Sequence, residues 1–372
     1  MIIGLAPMDW YTDCAFRLIT QEIFEKYWNH LKKSSDILFL RTEFMSADGY
    51  IARPQWVIQH LLTSKGQHNV IAQIHGGNEK NLIATIKDIQ KKYADSFVGI
   101  EINMGCPAGN IMKSGWWSEL LKDKAKTLAM LQAIKKNCKL PLSIKTRTGL
   151  NDADKKNQTE FILEASKICD MITIHARTVK QIYSWDADWD FVYHIKWRAW
   201  KKCKIIGNGW IHSYTEIAQK IWNLDGVMIW QAAIGNPRIF TPYSPTVQEK
   251  KDTILRHLDL AVACDLYFQN QKKISMPTLK DLEKIIKELK SSPEINLNKT
   301  FQPAPPWQGR GLGRVCSPRP ISLNHLLRSP VIEFRKHLFQ YIKWIPCSRE
   351  WKQEISQITE YEPLVEAIKK FF

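Results

Sequence analysis

Short apolar runs rich in Ile, Val and Leu recur along the first two-thirds of the chain. Each is followed by a longer stretch in which apolar residues return every three to four positions. The runs at 2–6, 37–43, 70–75, 99–104, 142–146, 171–175, 204–207 and 226–229 read as strands. Stretches between them, such as 79–93 and 122–137, read as helices. Eight strand-then-helix units predict a parallel α/β fold, and their even spacing fits a (β/α)8 TIM barrel better than a doubly wound sheet. Glycines and polar residues gather after the strands, where such a barrel carries its active site.

Past residue 245 the pattern changes. Segments 250–271, 278–290, 331–343 and 349–358 read as amphipathic helices with no strand between them. Between the second and third lies 291–330, centred on PAPPWQGRGLGRVCSPRP, whose Pro and Gly content predicts an irregular insertion. The expected organisation is a catalytic barrel over 1–245 and a helical region over 246–372.

Composition narrows the class. Hydrophobic residues make up 44% and charged residues 24% of the 372 positions, ordinary values for a globular protein. No apolar run approaches the roughly 20 residues of a membrane span, and the first residues lack a signal-peptide layout. The eight cysteines are scattered without a CxxC pair, so neither a metal motif nor a disulfide framework is expected, and a reducing cytoplasm is. A net charge of +16 favours a polyanionic partner, nucleic acid before membrane, although lysine spread along the whole chain is also an ordinary solvated surface.

The chemistry sits at the strand ends, in LAPMDWYTDCAFR (5–17), QIHGG (73–77), EINMGCPAGNIMKSG (101–115), KTRTG (145–149) and IHARTVKQIYS (174–184). IIGNGWI (205–211) and GVMIWQAAIGNPRIF (226–240) follow. In order and wording these segments resemble the tRNA-dihydrouridine synthase family over residues 1–240, and FRKHLFQYIKWIP (334–346) resembles that family's C-terminal helical region. NMGCP followed by HART is the specific part of the likeness; a lone GNG or APM is weak.

The resemblance implies an FMN-dependent oxidoreductase that takes electrons from NADPH or NADH and reduces uridine in tRNA. The residue types agree with that chemistry. Uracil's C5=C6 bond is conjugated to the C4 carbonyl, so hydride adding at C6 leaves an enolate that needs a proton at C5. A thiol, with a reference pKa of about 8.5, is mostly protonated at neutral pH and can donate it. Cys106 follows the fourth strand and is the general acid that the resemblance implies; the bland reading is a buried structural cysteine.

Lys145 would set a cation beside the pyrimidine side of the flavin. The resemblance adds Pro7, Met8, Gln73 and His175 as flavin contacts. Asn103 would hold the target uracil flat, and Arg177 would reach flavin phosphate or substrate. The phosphate is expected on backbone N–H groups after the seventh and eighth strands, at Asn208, Gly209, Trp230 and Gln231. Arg335 and Lys336, with Lys343, are the expected tRNA contacts of the helical region. No metal is implied, and a monomer is expected.

Tryptophan departs from the family pattern. Trp10, Trp116, Trp117, Trp210, Trp230 and Trp344, with Trp185, stand where the family has glycine. Substitution of the smallest residue by the largest at so many sites is not what chance produces. The chain has 15 Trp and 17 Gly; converting about eight would bring Gly near its usual share of about 7%. The hypothesis is UGA codons read as Trp in a gene whose host reads them as Gly. The competing functions are a tRNA-binding homologue that has lost FMN, and another flavin barrel reducing free pyrimidines.

Overall fold

The computed structural model describes residues 1–31, 36–105, 123–182, 184–269, 276–291, 323–343 and 348–372. Cys106, Trp116, Trp117 and Trp344 lie outside the described residues, as does most of the expected insertion.

Eight parallel strands close on themselves. They are β1 (Ile2–Leu5), β2 (Ile37–Arg41), β3 (Val70–His75), β4 (Gly99–Met104), β5 (Leu142–Arg147), β6 (Met171–His175), β7 (Lys204–Asn208) and β8 (Gly226–Ile229). β1 pairs with β2 on one side and with β8 on the other, while Leu40 and Arg41 pair with Val70 and Ile71 to join β2 to β3. The fold is a (β/α)8 TIM barrel with a helical C-terminal region. A two-residue strand, Met45–Ser46, adds to the edge of β3. The closing seam is tight: a Cβ on Gly226 would lie 2.4 Å from the Ile2 carbonyl oxygen, so only glycine lets β1 and β8 meet there.

Around the barrel lie α1 (Cys14–Leu31), α2 (Glu79–Lys92), α3 (Lys124–Asn137), α4 (Lys155–Ser166), α5 (Trp189–Arg198) and α6 (Tyr214–Ile221). Their starts are fixed by the short polar residues that the sequence places there. Asn78, Asp123, Asp188 and Ser213 each accept an N–H of the first turn of α2, α3, α5 and α6. Outward strand residues such as Ile3, Leu5 and Leu40 form one large core with these helices. Inward residues Ile2, Ala6, Ile71, Met171, Ile206 and Met228 form a second, smaller core that fills the barrel.

The C-terminal region contains α7 (Val247–Gln269), α8 (Leu279–Ser291), α9 (Leu323–Tyr341), α10 (Ser348–Gln357) and α11 (Tyr361–Phe371). α7 packs against α1, and α9 against α7. Two differences from the expected pattern have physical causes. α9 begins before Pro330 and carries that proline inside it. The row Leu327, Val331, Phe334 and Leu338 is buried along one face, and this packing outweighs the lost N–H. α11 has no counterpart in the sequence reading, because its apolar stripe of Tyr361, Leu364 and Ile368 is only two turns long.

Candidate active site

Side chains alternate along a strand, so every second residue of a barrel strand faces inward. That rule carries Gln73, Asn103, Lys145, His175 and Asn208 to the inside near the C-terminal strand ends. Register aligns them: Asn103 lies opposite Lys145, and His175 opposite both Arg147 and Asn208. A cavity of about 380 Å³ opens above them, within the size range of small-molecule sites. Of the expected site residues, Pro7, Met8, Asn103, Lys145, His175, Asn208, Trp230 and Gln231 line it.

Gln73 lies one layer deeper, fully buried, and reaches the cavity only through Asn103. Its amide donates to Glu101 Oε1 at 2.7 Å, and its carbonyl oxygen accepts from Asn103 Nδ2 at 3.2 Å. Glu101 in turn faces Arg41, whose Nε lies 3.2 Å from each carboxylate oxygen, with both side chains shut off from solvent. Asn103 Oδ1 accepts the Gly105 N–H at 3.2 Å. This chain of bonds has one direction, so the orientation of the Asn103 amide is fixed by the charge of Glu101.

The β5–β6 side is cationic. Arg147 lines the cavity beside Lys145 and is braced by carbonyl oxygens: Nε donates to Gly105, and Nη1 donates to Thr178 and Ile182. Sequence reasoning singled out Lys145 and passed over Arg147, although the two-residue spacing puts both on the same face of β5. Burial, reinforced by Arg147, Lys145 and Arg177, holds His175 well below the usual imidazole pKa, so its ring is neutral. Arg177 is not in the cavity wall. It lies buried behind His175 and donates Nε to the Trp185 carbonyl at 2.9 Å, while Nη2 is buried with no acceptor. A buried guanidinium N–H without an acceptor among three cations fits an anionic group such as a phosphate.

On the β7–β8 side the tryptophans stand in the way. Gly209, at φ +141°, adopts backbone that suits glycine, but the next residue is Trp210 at φ +45°. The Trp210 indole covers Arg177, 4.6 Å from guanidinium carbon to ring centroid. Trp230 lines the cavity with its ring centroid 6.1 Å from that of His175. Among the described residues, six non-glycine positions have a left-handed φ: Trp10, Asn69, Ile182, Trp185, Trp210 and Trp222. Four of the six are tryptophan, the residue type least suited to that backbone after the β-branched ones. Trp222, φ +26°, belongs with the others and was not among the positions singled out in the sequence. The β4–β6 side of the cavity thus carries polar and cationic side chains, and the β7–β8 side carries indoles.

The β1–β2 rim holds residues that the motifs did not single out. Asp9 and Tyr11 line the cavity, and Asp9, Glu43 and His60 form a cluster at its edge. His60 Nδ1 lies 3.8 Å from a carboxylate oxygen of each acid. Burial lowers the His60 pKa, but Glu43 and Asp9 outweigh it and leave it above its usual value. In the helical region, Arg335 is partly buried and donates to the Ser356 carbonyl. Lys336 reaches the barrel, its Nζ 5.3 Å from the centroid of the exposed Trp10 ring and 3.3 Å from Glu333.

Known proteins are similar to this chain in sequence. A probable tRNA-dihydrouridine synthase of Rickettsia bellii (strain RML369-C) is 25% identical over 273 residues, 70% of this chain and 79% of that protein. One from Staphylococcus aureus (strain Mu50 / ATCC 700699) is 29% identical over 295 residues, 76% of this chain and 82% of that protein. One from Rickettsia typhi is 28% identical over 176 residues, 44% of this chain and 53% of that protein, about half its length. The family model for dihydrouridine synthase matches residues 4–308, so the strand-end residues gathered around the cavity fall within the match, and the chain belongs to the dihydrouridine synthase family.

Proposed function

We propose that this oxidoreductase is a tRNA-dihydrouridine synthase that binds FMN, takes electrons from NADPH or NADH, and reduces the C5=C6 bond of a uridine in tRNA. The observation that carries the reading is the cavity wall of Asn103, Lys145, Arg147 and neutral His175, with its amide orientation locked from below. Bound reduced flavin would supply the hydride that adds at C6. Lys145 would stand as a cation beside the flavin, and Asn103 would hold the base flat; both line the cavity. Cys106, the residue after cavity-lining Gly105, gives its proton to C5. The uridine must leave its stack to lie against a flavin ring, so the tRNA enters with that nucleotide turned out. The +16 charge supplies the attraction for the tRNA backbone, with Lys336, Arg335 and Lys343 as the helical contacts. We take 1–245 as the catalytic domain and 246–372 as the tRNA-holding region of a cytoplasmic monomer. No helix among the described residues is long and apolar enough to cross a membrane.

The experiment is FMN-reconstituted protein with unmodified tRNA and NADPH, scored for dihydrouridine by nucleoside mass spectrometry. Cys106→Ala keeps FMN and loses about 10²–10⁴-fold in rate, the usual contribution of a general acid. Wild-type rate in that variant would overturn the assignment.

A second reading has its own observation. Trp210 and Trp230 stand where a barrel carries its phosphate, which favours a tRNA-binding chain without flavin. The two readings meet in the codon hypothesis: the flavin-binding form carries glycine at 210 and 230. Peptide mass spectrometry of the protein from its own host distinguishes Gly from Trp at both positions directly.

A further inference from the structure

Asp13, His257 and His337 come from the position just before α1, the middle of α7 and the second half of α9. They meet where the helical region packs on the barrel. One ligand-capable atom of each lies within 4.8 Å of the other two. Both imidazoles are shut off from solvent, at 0% and 1% exposure. His257 uses Nδ1 to meet the Tyr341 hydroxyl at 3.1 Å, and His337 uses Nε2 to meet Asp13 Oδ2 at 3.1 Å. The opposite nitrogens, Nε2 of His257 and Nδ1 of His337, are buried with no partner. Aromatic rings enclose the pair, with Phe16 stacked on His337 at 5.5 Å and Phe334 edge-on to His257 at 5.0 Å.

We propose that Asp13, His257 and His337 bind a divalent metal ion of the zinc class, which pins the helical region to the barrel. Two imidazoles and one carboxylate form a borderline donor set that suits zinc and its neighbours; magnesium and calcium take oxygen ligands. Two ligands about 2.0–2.1 Å from one ion at a tetrahedral angle lie about 3.3 Å apart, close to the 3.1 Å between Asp13 Oδ2 and His337 Nε2. A hydrogen bond has the same spacing, so that distance alone does not choose. The unpartnered Nε2 of His257 is the second observation: a buried ring nitrogen that has lost its water gains from a ligand, and in this arrangement it is Nδ1 of His337 that stays without one. The Tyr341 hydroxyl on the other nitrogen is the outer partner that orients a metal-binding imidazole. Three protein ligands leave one tetrahedral position for water. Spacing in the sequence shows none of this, because the three residues are far apart along the chain; the expectation of no metal rested on motifs alone.

The test uses the full-length chain, as purified and after dialysis against EDTA, with Zn²⁺ as the probe. Bound metal is measured by elemental mass spectrometry, and thermal unfolding is followed as Zn²⁺ is added. The chain should take up a single zinc ion and its unfolding midpoint should rise with Zn²⁺ concentration. His257→Gln should abolish the uptake. Tyr341→Phe keeps all three ligands and should weaken it about 10–100-fold, the usual cost of losing an outer partner. No zinc-dependent rise in the wild-type midpoint overturns the proposal, as does undiminished uptake by folded His257→Gln. If His257→Gln does not fold, wild-type zinc affinity in Tyr341→Phe overturns it.

Discussion

On the β4–β6 side of the cavity, Asn103 and Arg147 are held by hydrogen-bond partners, and Arg177 is held behind them; the carbonyls of Ile182 and Trp185 that brace the two arginines lie on left-handed backbone. On the β7–β8 side, the Trp230 indole lines the cavity beside Asn208 and Gln231, and the Trp210 indole, on left-handed backbone, covers Arg177. Both sides belong to one barrel, and both were expected to hold one ligand. The difference separates two kinds of sequence information. Polar side chains at strand ends build the first side, and the strands carry them in ordinary extended backbone. The second side is built from backbone that only glycine adopts without cost, so one wrong residue alters it.

The largest expected effect lies beneath the polar side. Glu101→Ala leaves Arg41 as an uncompensated buried charge, which should cost about 3–5 kcal/mol in a denaturant titration. A loss below about 1 kcal/mol would show that water or another group serves Arg41, and that Asn103 is not oriented from below.

On the opposite side, Trp210→Gly with Trp230→Gly should raise FMN affinity about tenfold or more, equivalent to ~1.4 kcal/mol, read by flavin fluorescence quenching. Unchanged affinity would mean that the phosphate lies elsewhere, and the contrast between the two sides would fail.

The same substitution elsewhere should change sign with the backbone. Trp185→Gly, at φ +73° and 74% exposed, should stabilise the fold by about 1 kcal/mol. Trp197→Gly, in α5 and 80% exposed, should destabilise it by ~0.5 kcal/mol. Equal signs in thermal melts would remove left-handed backbone as the reason that these tryptophans are out of place.

The smallest effect is one of pH. His175 has its folded pKa pushed well below the usual value of about 6.5, by burial and then by Arg147, Lys145 and Arg177. Its contribution is therefore present above that value and lost as pH falls below it, when the unfolded chain binds the proton. His60, raised by Glu43 and Asp9 despite burial, contributes below about 6.5 and loses its contribution as pH rises through its folded pKa. His175→Asn should flatten the acid limb of a stability-versus-pH curve, and His60→Asn the neutral limb. Both variants flattening the same limb would contradict these directions.

The barrel was legible because its strands are nearly continuous apolar runs, which parallel strands buried on both faces require. Each of the eight barrel strands was placed within two residues of its position in the structure, from Ile2–Leu5 to Gly226–Ile229, and the two-residue strand Met45–Ser46 was not expected. Polar site residues were legible where a motif named them, as with Asn103 and Lys145. Arg147 was within reach of the two-residue alternation. The Glu101–Gln73–Asn103 chain was not, because no local pattern shows which side chains meet across a barrel. Neither was the meeting of Asp13 with His257 and His337, which depends on how α7 and α9 settle on α1. Trp222 escaped because it carries no motif; only its φ reveals it.

The Arg41–Glu101 pair, sealed inside the barrel with apolar residues below it, gives the cavity a blind end. Nothing drains through that floor. Water displaced when a ligand enters must leave on the open side of the barrel, and so must whatever is released. Two visitors that both need the ground above Asn103 cannot be there together, so they must alternate, each departing before the other arrives.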